Sequence, residues 1–456
     1  MTHPTPRTSP TVQPGRANAN LEGIPAGKSL SHLGLAILGY LLGVTLIVTL
    51  LPFRFSVPGA WRVWLQSDVV DVVANVIMFV PLGFLFRVGT HHHRRHSTLR
   101  VLWAGAALSL AIESVQLFEA ERFSSPWDVG ANAVGAWVGA VLASMVTRRI
   151  GAGGAVVARL SLELPLMGLL YLVIPLLWLN GLAARGNEGH LVAGILVATF
   201  GAAVLGGLQR HHLGPDRGVS MRATLGAATF GFLAGAFPAL ATAPGVVLAG
   251  AGASCAITWL YASFGSAVRR DRRYEVAVIR TAVPPLVAFL VLLGIGTDPT
   301  RVQGWTWSLG FPPLQSKTGT REILQLLELV AAFTLLGYVI AEYRGRAVPR
   351  LQTALPRVLA WSGACGLTVE LIRGFTSVPG ASLARTALLQ SSALYGAWLY
   401  YLQRRHVLLL LASEPTRSDA SAPGGGGFRD PGSGSPAAGP RRRATPAAPP
   451  AISGSA

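Results

Sequence analysis

The residues with chemical potential in this chain lie inside or beside apolar stretches, at spacings that put them on shared helix faces. Ser109, Glu113 and Gln116 fall at i, i+4, i+7, and Asp128, Asn132, Gly135 and Gly139 at i, i+4, i+7, i+11. Asp68, Asp71 and Asn75 fall at i, i+3, i+7 in the preceding apolar run, and Arg122 lies on the short connection before Asp128. Carboxylates so placed can act as general acid or base, or hold a cationic group, while the amides of Asn75, Gln116 and Asn132 complete hydrogen bonds. An unpaired carboxylate deep in lipid costs about 2.5–3.5 kcal/mol on insertion scales. Glu113 must therefore pair, with Arg122 as the obvious cation, or take up a proton, or face a wet cleft. Plainer roles stand beside these. Asp128, and Asp68 or Asp71, can cap helices, and Asn75, Gln116 and Asn132 can tie helices together.

The elements that must position these residues are membrane helices. Of 456 residues, 51% are hydrophobic and 13% charged, against about 25% charged in soluble domains. The mean hydropathy is +0.47. Apolar runs of roughly 18–22 residues recur, which is the length of a helical span, and backbone groups in lipid must be satisfied within the segment. The short alternating segments of a barrel are absent. The expected fold is all-α, a polytopic integral membrane protein of about twelve helices. The spans fall near 32–51, 70–88, 100–118, 128–147, 164–182, 190–208, 223–240, 244–265, 277–296, 325–342, 355–373 and 384–402. Within 223–265 only Pro238 and Ala243-Pro244-Gly245 mark a turn.

The formal charge of +18 is concentrated in short loops and the tail. With both termini cytoplasmic, the inside loops His91–Arg100, Arg148–Arg159, Arg210–Arg222, Arg269–Arg273 and Arg344–Arg357 and the tail after Gln403 hold nearly every Arg cluster. This is the positive-inside pattern. It accounts for the basicity through topology and anionic headgroups, so the expected partner is the lipid bilayer, not nucleic acid. The same topology brings Asp71, Asn75, Glu113, Gln116, Arg122, Asp128 and Asn132 to the extracytoplasmic side, with Glu113 less than about 10 Å inside its helix end. Pro81 should kink the second span. Gly135 and Gly139 make a small-residue face for close helix approach.

The run His91-His92-His93-Arg94-Arg95-His96 has no carboxylate or cysteine nearby and reads as a basic loop. Cys255 and Cys365 lack motif partners. No metal-ligand set, Ser/His/Asp arrangement or phosphate-binding glycine loop is evident, and no cofactor is expected. Trp61, Trp64, Trp305 and Trp307 at span edges read as interface anchors.

Asp71-x3-Asn75 followed by Phe79-x-Pro81-Leu82-Gly83, then Ser109-x3-Glu113-x2-Gln116, Arg122 and Asp128-x3-Asn132-x2-Gly135-x3-Gly139, resembles the VanZ-like family over residues 32–147. That resemblance implies a bacterial plasma-membrane setting. It also implies an association with low-level resistance to the glycopeptide teicoplanin, and it assigns no reaction.

A weaker echo lies towards the C-terminus. Glu370, Phe375, Ser382 and Gly396 match Glu113, Phe118, Ser125 and Gly139 at an offset of 257, and Phe333-x3-Gly337 matches Phe79-x3-Gly83 at 254. Arg373, Arg385 and Leu329 then stand where Gln116, Asp128 and Asn75 stand. This suggests a degenerate parallel repeat, with Glu370 paired to Arg373 or Arg385.

The expected organisation is a disordered leader (1–30), a VanZ-like four-helix domain (31–150), middle helices of unassigned role (160–297), the degenerate repeat (320–405) and a disordered tail (412–456). The functional expectation is an outward polar cleft that binds a cell-wall precursor, a lipid headgroup or a glycopeptide. The alternatives are a membrane enzyme acting on a lipid-linked substrate, or a transporter.

Overall fold

A computed structural model of the chain describes residues 32–51, 53, 55–56, 68–89, 97–119, 124–150, 165–184, 188–213, 219–264, 274–295, 304–310, 319–345, 350–376 and 380–412. The leader, the histidine run, Arg122, Trp61, Trp64 and the tail beyond 412 lie outside these residues. The protein is an all-α, polytopic membrane protein. Twelve α-helices are described: α1 (His32–Leu50), α2 (Val69–Gly89), α3 (Ser97–Gln116), α4 (Pro126–Ile150), α5 (Pro165–Ala183), α6 (Glu188–Leu208), α7 (Met221–Gly235), α8 (Pro244–Phe264), α9 (Tyr274–Ile295), α10 (Gly319–Gly345), α11 (Leu351–Thr376) and α12 (Leu383–Ala412). Among the described residues, nine helices are long and apolar enough to cross a membrane, and α1 adds a shorter apolar stretch over Ala36–Leu50.

The helix ends follow the local sequence. A π-turn over Gln209–Leu213 continues α6, and Ser220 caps α7, its Oγ accepting the Ala223 amide at 3.2 Å. The doubtful Gly/Ala-rich stretch is two helices. α7 stops after 15 residues, the short 3-10 turn Phe237–Ala239 carries Pro238, and α8 starts on Pro244. Each proline removes a backbone donor, so the chain turns where the ladder cannot continue. Pro81, by contrast, sits inside α2, which runs through it as one helix.

The core lies on α5, α6 and α10, where Leu169, Leu176, Phe200, Val204 and Phe333 are fully enclosed. The helices on either side of this core pack on glycine. A Cβ on Gly83 would strike the Ala136 carbonyl, one on Gly135 the Val76 carbonyl, and one on Gly139 the Val80 carbonyl. α2 and α4 are therefore parallel and in close backbone contact, as small residues permit. α10 and α12 meet in the same way: Gly337 faces the Ala393 carbonyl and Gly396 the Thr334 carbonyl.

Candidate functional site

The polar residues of α3 and α4 converge where α3 ends and α4 begins. Glu113, 5% exposed, accepts the Ser125 amide on Oε2 at 2.8 Å. Ser125 in turn accepts the Trp127 amide on Oγ at 3.3 Å. The first-turn amides of a helix have no intrahelical partner, and its N-terminus favours a negative group. Glu113 thus holds the entry of α4 from the neighbouring helix. Three residues into that helix, Asp128 adds a second carboxylate in the first turn.

One turn deeper, Asn132 Nδ2 donates to Ser109 Oγ at 2.7 Å, and Ser109 Oγ lies 3.5 Å from the Asp128 carbonyl. Asn132 is 3% exposed, and its Oδ1 is buried with no hydrogen-bond partner. Gln116 reaches the other way, donating from Nε2 to the Thr49 carbonyl of α1 at 2.8 Å. Beyond α1, the Ser56 amide donates to the Phe118 carbonyl at 2.7 Å, so this segment lies across the α3–α4 connection. Ser109, Asp128 and Asn132 are therefore bonded to one another, Glu113 holds the start of the same helix, and Gln116 ties α3 to α1 instead.

Asp71 and Asn75 are placed differently. The register that pairs Gly135 with Val76 and Gly139 with Val80 puts both in the first two turns of α2, level with the start of α4. Asp71 is exposed and Asn75 half-buried. No side-chain hydrogen bond from either is found among the described residues, so they border the polar cluster instead of joining it.

A large cavity lies elsewhere among the described residues. It measures about 720 Å³, is almost wholly apolar, and runs beside Pro81 between α1, α2, α5 and α7. Glu113, Asp128 and Asn132 do not line it.

The junction of α11 and α12 has matching geometry. Glu370, 4% exposed, accepts the Ser382 amide on Oε2 at 2.8 Å, twelve residues on, as Glu113 does with Ser125. Here the added partner is Arg385. Its Nε donates to Glu370 Oε1 at 2.6 Å, and its Nη2 to Glu370 Oε2 and to the Gly380 carbonyl, both at 2.7 Å. Gly380 adopts φ +84°, a conformation that favours glycine. The strand pair Trp307–Ser308 and Ala381–Ser382 runs parallel across this junction, and the Thr306 amide donates to the Gly374 carbonyl at 3.0 Å. Trp305 and Trp307 belong to this clasp and are each about half exposed. Of the two partners expected for Glu370, the ion pair forms with Arg385. Arg373 interacts electrostatically with Arg385, Glu370 and Glu328.

Sequence reasoning missed a buried polar group in the middle helices. Glu328 of α10, fully buried, takes His190 Nε2 on Oε2 at 2.7 Å and Asn180 Nδ2 on Oε1 at 2.8 Å. Asn180 Nδ2 also lies 3.2 Å from the His190 carbonyl. The signal was available: Glu328 interrupts the apolar run Ile323–Ala341, and the insertion cost that singled out Glu113 applies equally there.

The fold and these buried carboxylates define a multi-pass helical membrane protein with polar clusters at helix junctions. Within it, residues 30–147, about a quarter of the chain and spanning α1–α3 and most of α4, match the family described as VanZ/LLP1. No curated protein and no solved structure matches the chain.

Proposed function

We propose that the α1–α4 segment is a binding unit of the bacterial plasma membrane. Its polar pocket, formed by Asp128, Asn132, Ser109 and Glu113 with Asp71 and Asn75 at the rim, takes a cationic or hydrogen-bond-donating group of an envelope molecule. Cell-wall precursors, lipid headgroups and glycopeptide antibiotics all carry such groups, and the VanZ-type segment favours a role in teicoplanin-type resistance.

The observation that carries this reading is the contrast between the two junctions. We take residues 320–405, α10–α12, as a degenerate second copy of α2–α4. What both junctions keep is scaffold: the glutamate holding a backbone amide, and glycines against carbonyls. What only the first has is Asp71, Asn75, Asp128 and Asn132. Gln325, Leu329, Arg385 and Leu389 stand at those places in the second, and Leu329 and Leu389 are buried. In the second copy the Arg385 guanidinium stands where Asp128 stands in the first and is committed to Glu370 and the Gly380 carbonyl. In the first copy the buried Asn132 Oδ1 offers an acceptor to a ligand's donor group.

The test replaces the chromosomal copy with Asp128→Arg and with Asn132→Leu, each borrowing the residue of the second junction. Both variants are expected at wild-type protein levels, because the second junction folds with those residues. Both are expected to become as susceptible to teicoplanin as the deletion strain. Wild-type susceptibility in both, at normal protein levels, overturns the reading.

A further inference from the structure

The apolar cavity carries an inference separate from the polar pocket. Met167 and Trp178 of α5 both line it, and at 1.5 Å per residue they stand about 17 Å apart along the helix. The cavity therefore runs past the middle of a hydrocarbon core about 30 Å thick. Its walls include Leu41 and Val48 of α1, Ile77 and Phe84 of α2, and Phe230 of α7. Its volume is that of a ligand site, and nearly all its lining is hydrocarbon.

One end of this cavity is basic. Phe84 of α2, Val146 of α4 and Val219, just before α7, all line it there. Arg87, Arg148 and Arg222 each follow a cavity-lining residue, Phe84, Val146 or Ser220, by no more than a turn. Arg87 donates to Ser144 Oγ at 3.3 Å and is close enough to Arg148 for the two charges to repel. Arg210, at the same end, donates to the Ala262 and Ser263 carbonyls that finish α8. Like charges held close favour an anion between them. An apolar slot reaching past mid-membrane under such a pair has the shape of one ligand class.

We infer that the α1–α2–α5–α7 cavity is a specific site for an anionic phospholipid, with an acyl chain along Phe84, Pro81 and Trp178 and the phosphate at Arg87 and Arg148. The site is structural or regulatory in kind and stands whether or not the polar pocket binds its proposed ligand.

Trp178 is a reporter inside the cavity. The full chain is reconstituted in phosphatidylcholine containing increasing fractions of phosphatidylglycerol or phosphatidylcholine brominated near the chain ends. The Trp178 signal is the difference between wild type and Trp178→Phe. Half-maximal quenching is expected at a mole fraction at least fivefold lower for brominated phosphatidylglycerol. Arg87→Gln with Arg148→Gln should abolish that preference. Gly231→Phe should reduce Trp178 quenching by either lipid, because a Cβ at Gly231 meets open space beside the cavity and the ring can fill it. Equal quenching by the two lipids in wild type means bulk bilayer contact only and overturns the inference. So does a preference that survives the double arginine variant, or quenching unaffected by Gly231→Phe.

Discussion

Arg385 grips Glu370 with two donors, Nε to Oε1 at 2.6 Å and Nη2 to Oε2 at 2.7 Å, while the Ser382 amide occupies the same carboxylate. The carboxylate is therefore shared between a helix start and a guanidinium in a site closed to solvent. Removing one partner of such a pair strands the other, whereas removing both is far milder. Arg385→Leu should lower stability by about 3–5 kcal/mol. Adding Glu370→Gln, which keeps an acceptor for the Ser382 amide, should recover much of that loss. Equilibrium unfolding in mild detergent reads both values, and equal stability of the single and double variants would contradict the account.

The glycine contacts make a second prediction. Gly83→Ala, Gly139→Ala, Gly337→Ala and Gly396→Ala each push a methyl into a backbone carbonyl of the facing helix. Each should cost about 1–3 kcal/mol or more through overpacking. Gly130→Ala, in the same α4 helix but with open space at its Cβ, should be neutral or slightly stabilising. The same unfolding assay separates the two groups.

A third prediction concerns the middle helices. Glu328→Leu removes the buried acceptor that the His190 and Asn180 side chains share, a loss of about 1–3 kcal/mol. Glu328→Gln retains an acceptor oxygen and should be milder. A Gly194→Ala variant should weaken the same cluster, because its methyl would collide with the Asn180 side chain. Comparing Gly194→Ala in wild-type and Glu328→Leu backgrounds tests this: the two effects should be less than additive.

Orientation is the fourth. In a chain with Cys255 and Cys365 replaced, Trp127→Cys should react with a membrane-impermeant maleimide added to intact cells, and Arg222→Cys only after permeabilisation. This follows from the distribution of arginine among the loops. Trp127 is 61% exposed and Arg222 is also exposed, so neither is shielded by the protein itself. The reverse pattern would turn the polar pocket towards the cytoplasm.

Much of the fold can be read from the sequence because apolar run length maps directly onto helices in a membrane. The twelve runs correspond to the twelve described helices, and even the doubtful stretch divides at Pro238 and Pro244. The convergence of Ser109, Glu113, Asp128 and Asn132 was legible for a related reason: a short connection forces α3 and α4 to be neighbours, so face spacing within each helix is enough. Asp71 and Asn75 carry the right spacing but form no bond to the cluster among the described residues, since a spacing fixes a face and not the rotation of that face towards a neighbour. The Glu328 group was out of reach by spacing alone. Its partners lie 138 and 148 residues away, and nothing local reveals which distant helix packs beside which. That Glu113 binds a backbone amide was also hidden, because an amide leaves no letter in the sequence.

The glycine-to-carbonyl contacts have a consequence for how such chains diverge. Where two helices touch through main-chain atoms, the neighbouring side chains are released from holding them together. Drift can then rewrite those positions, a charge becoming its opposite or an amide becoming leucine, while the clasp closes as before. Alignment scores, which count letters, would lose such kinship while the main-chain contacts still carried it.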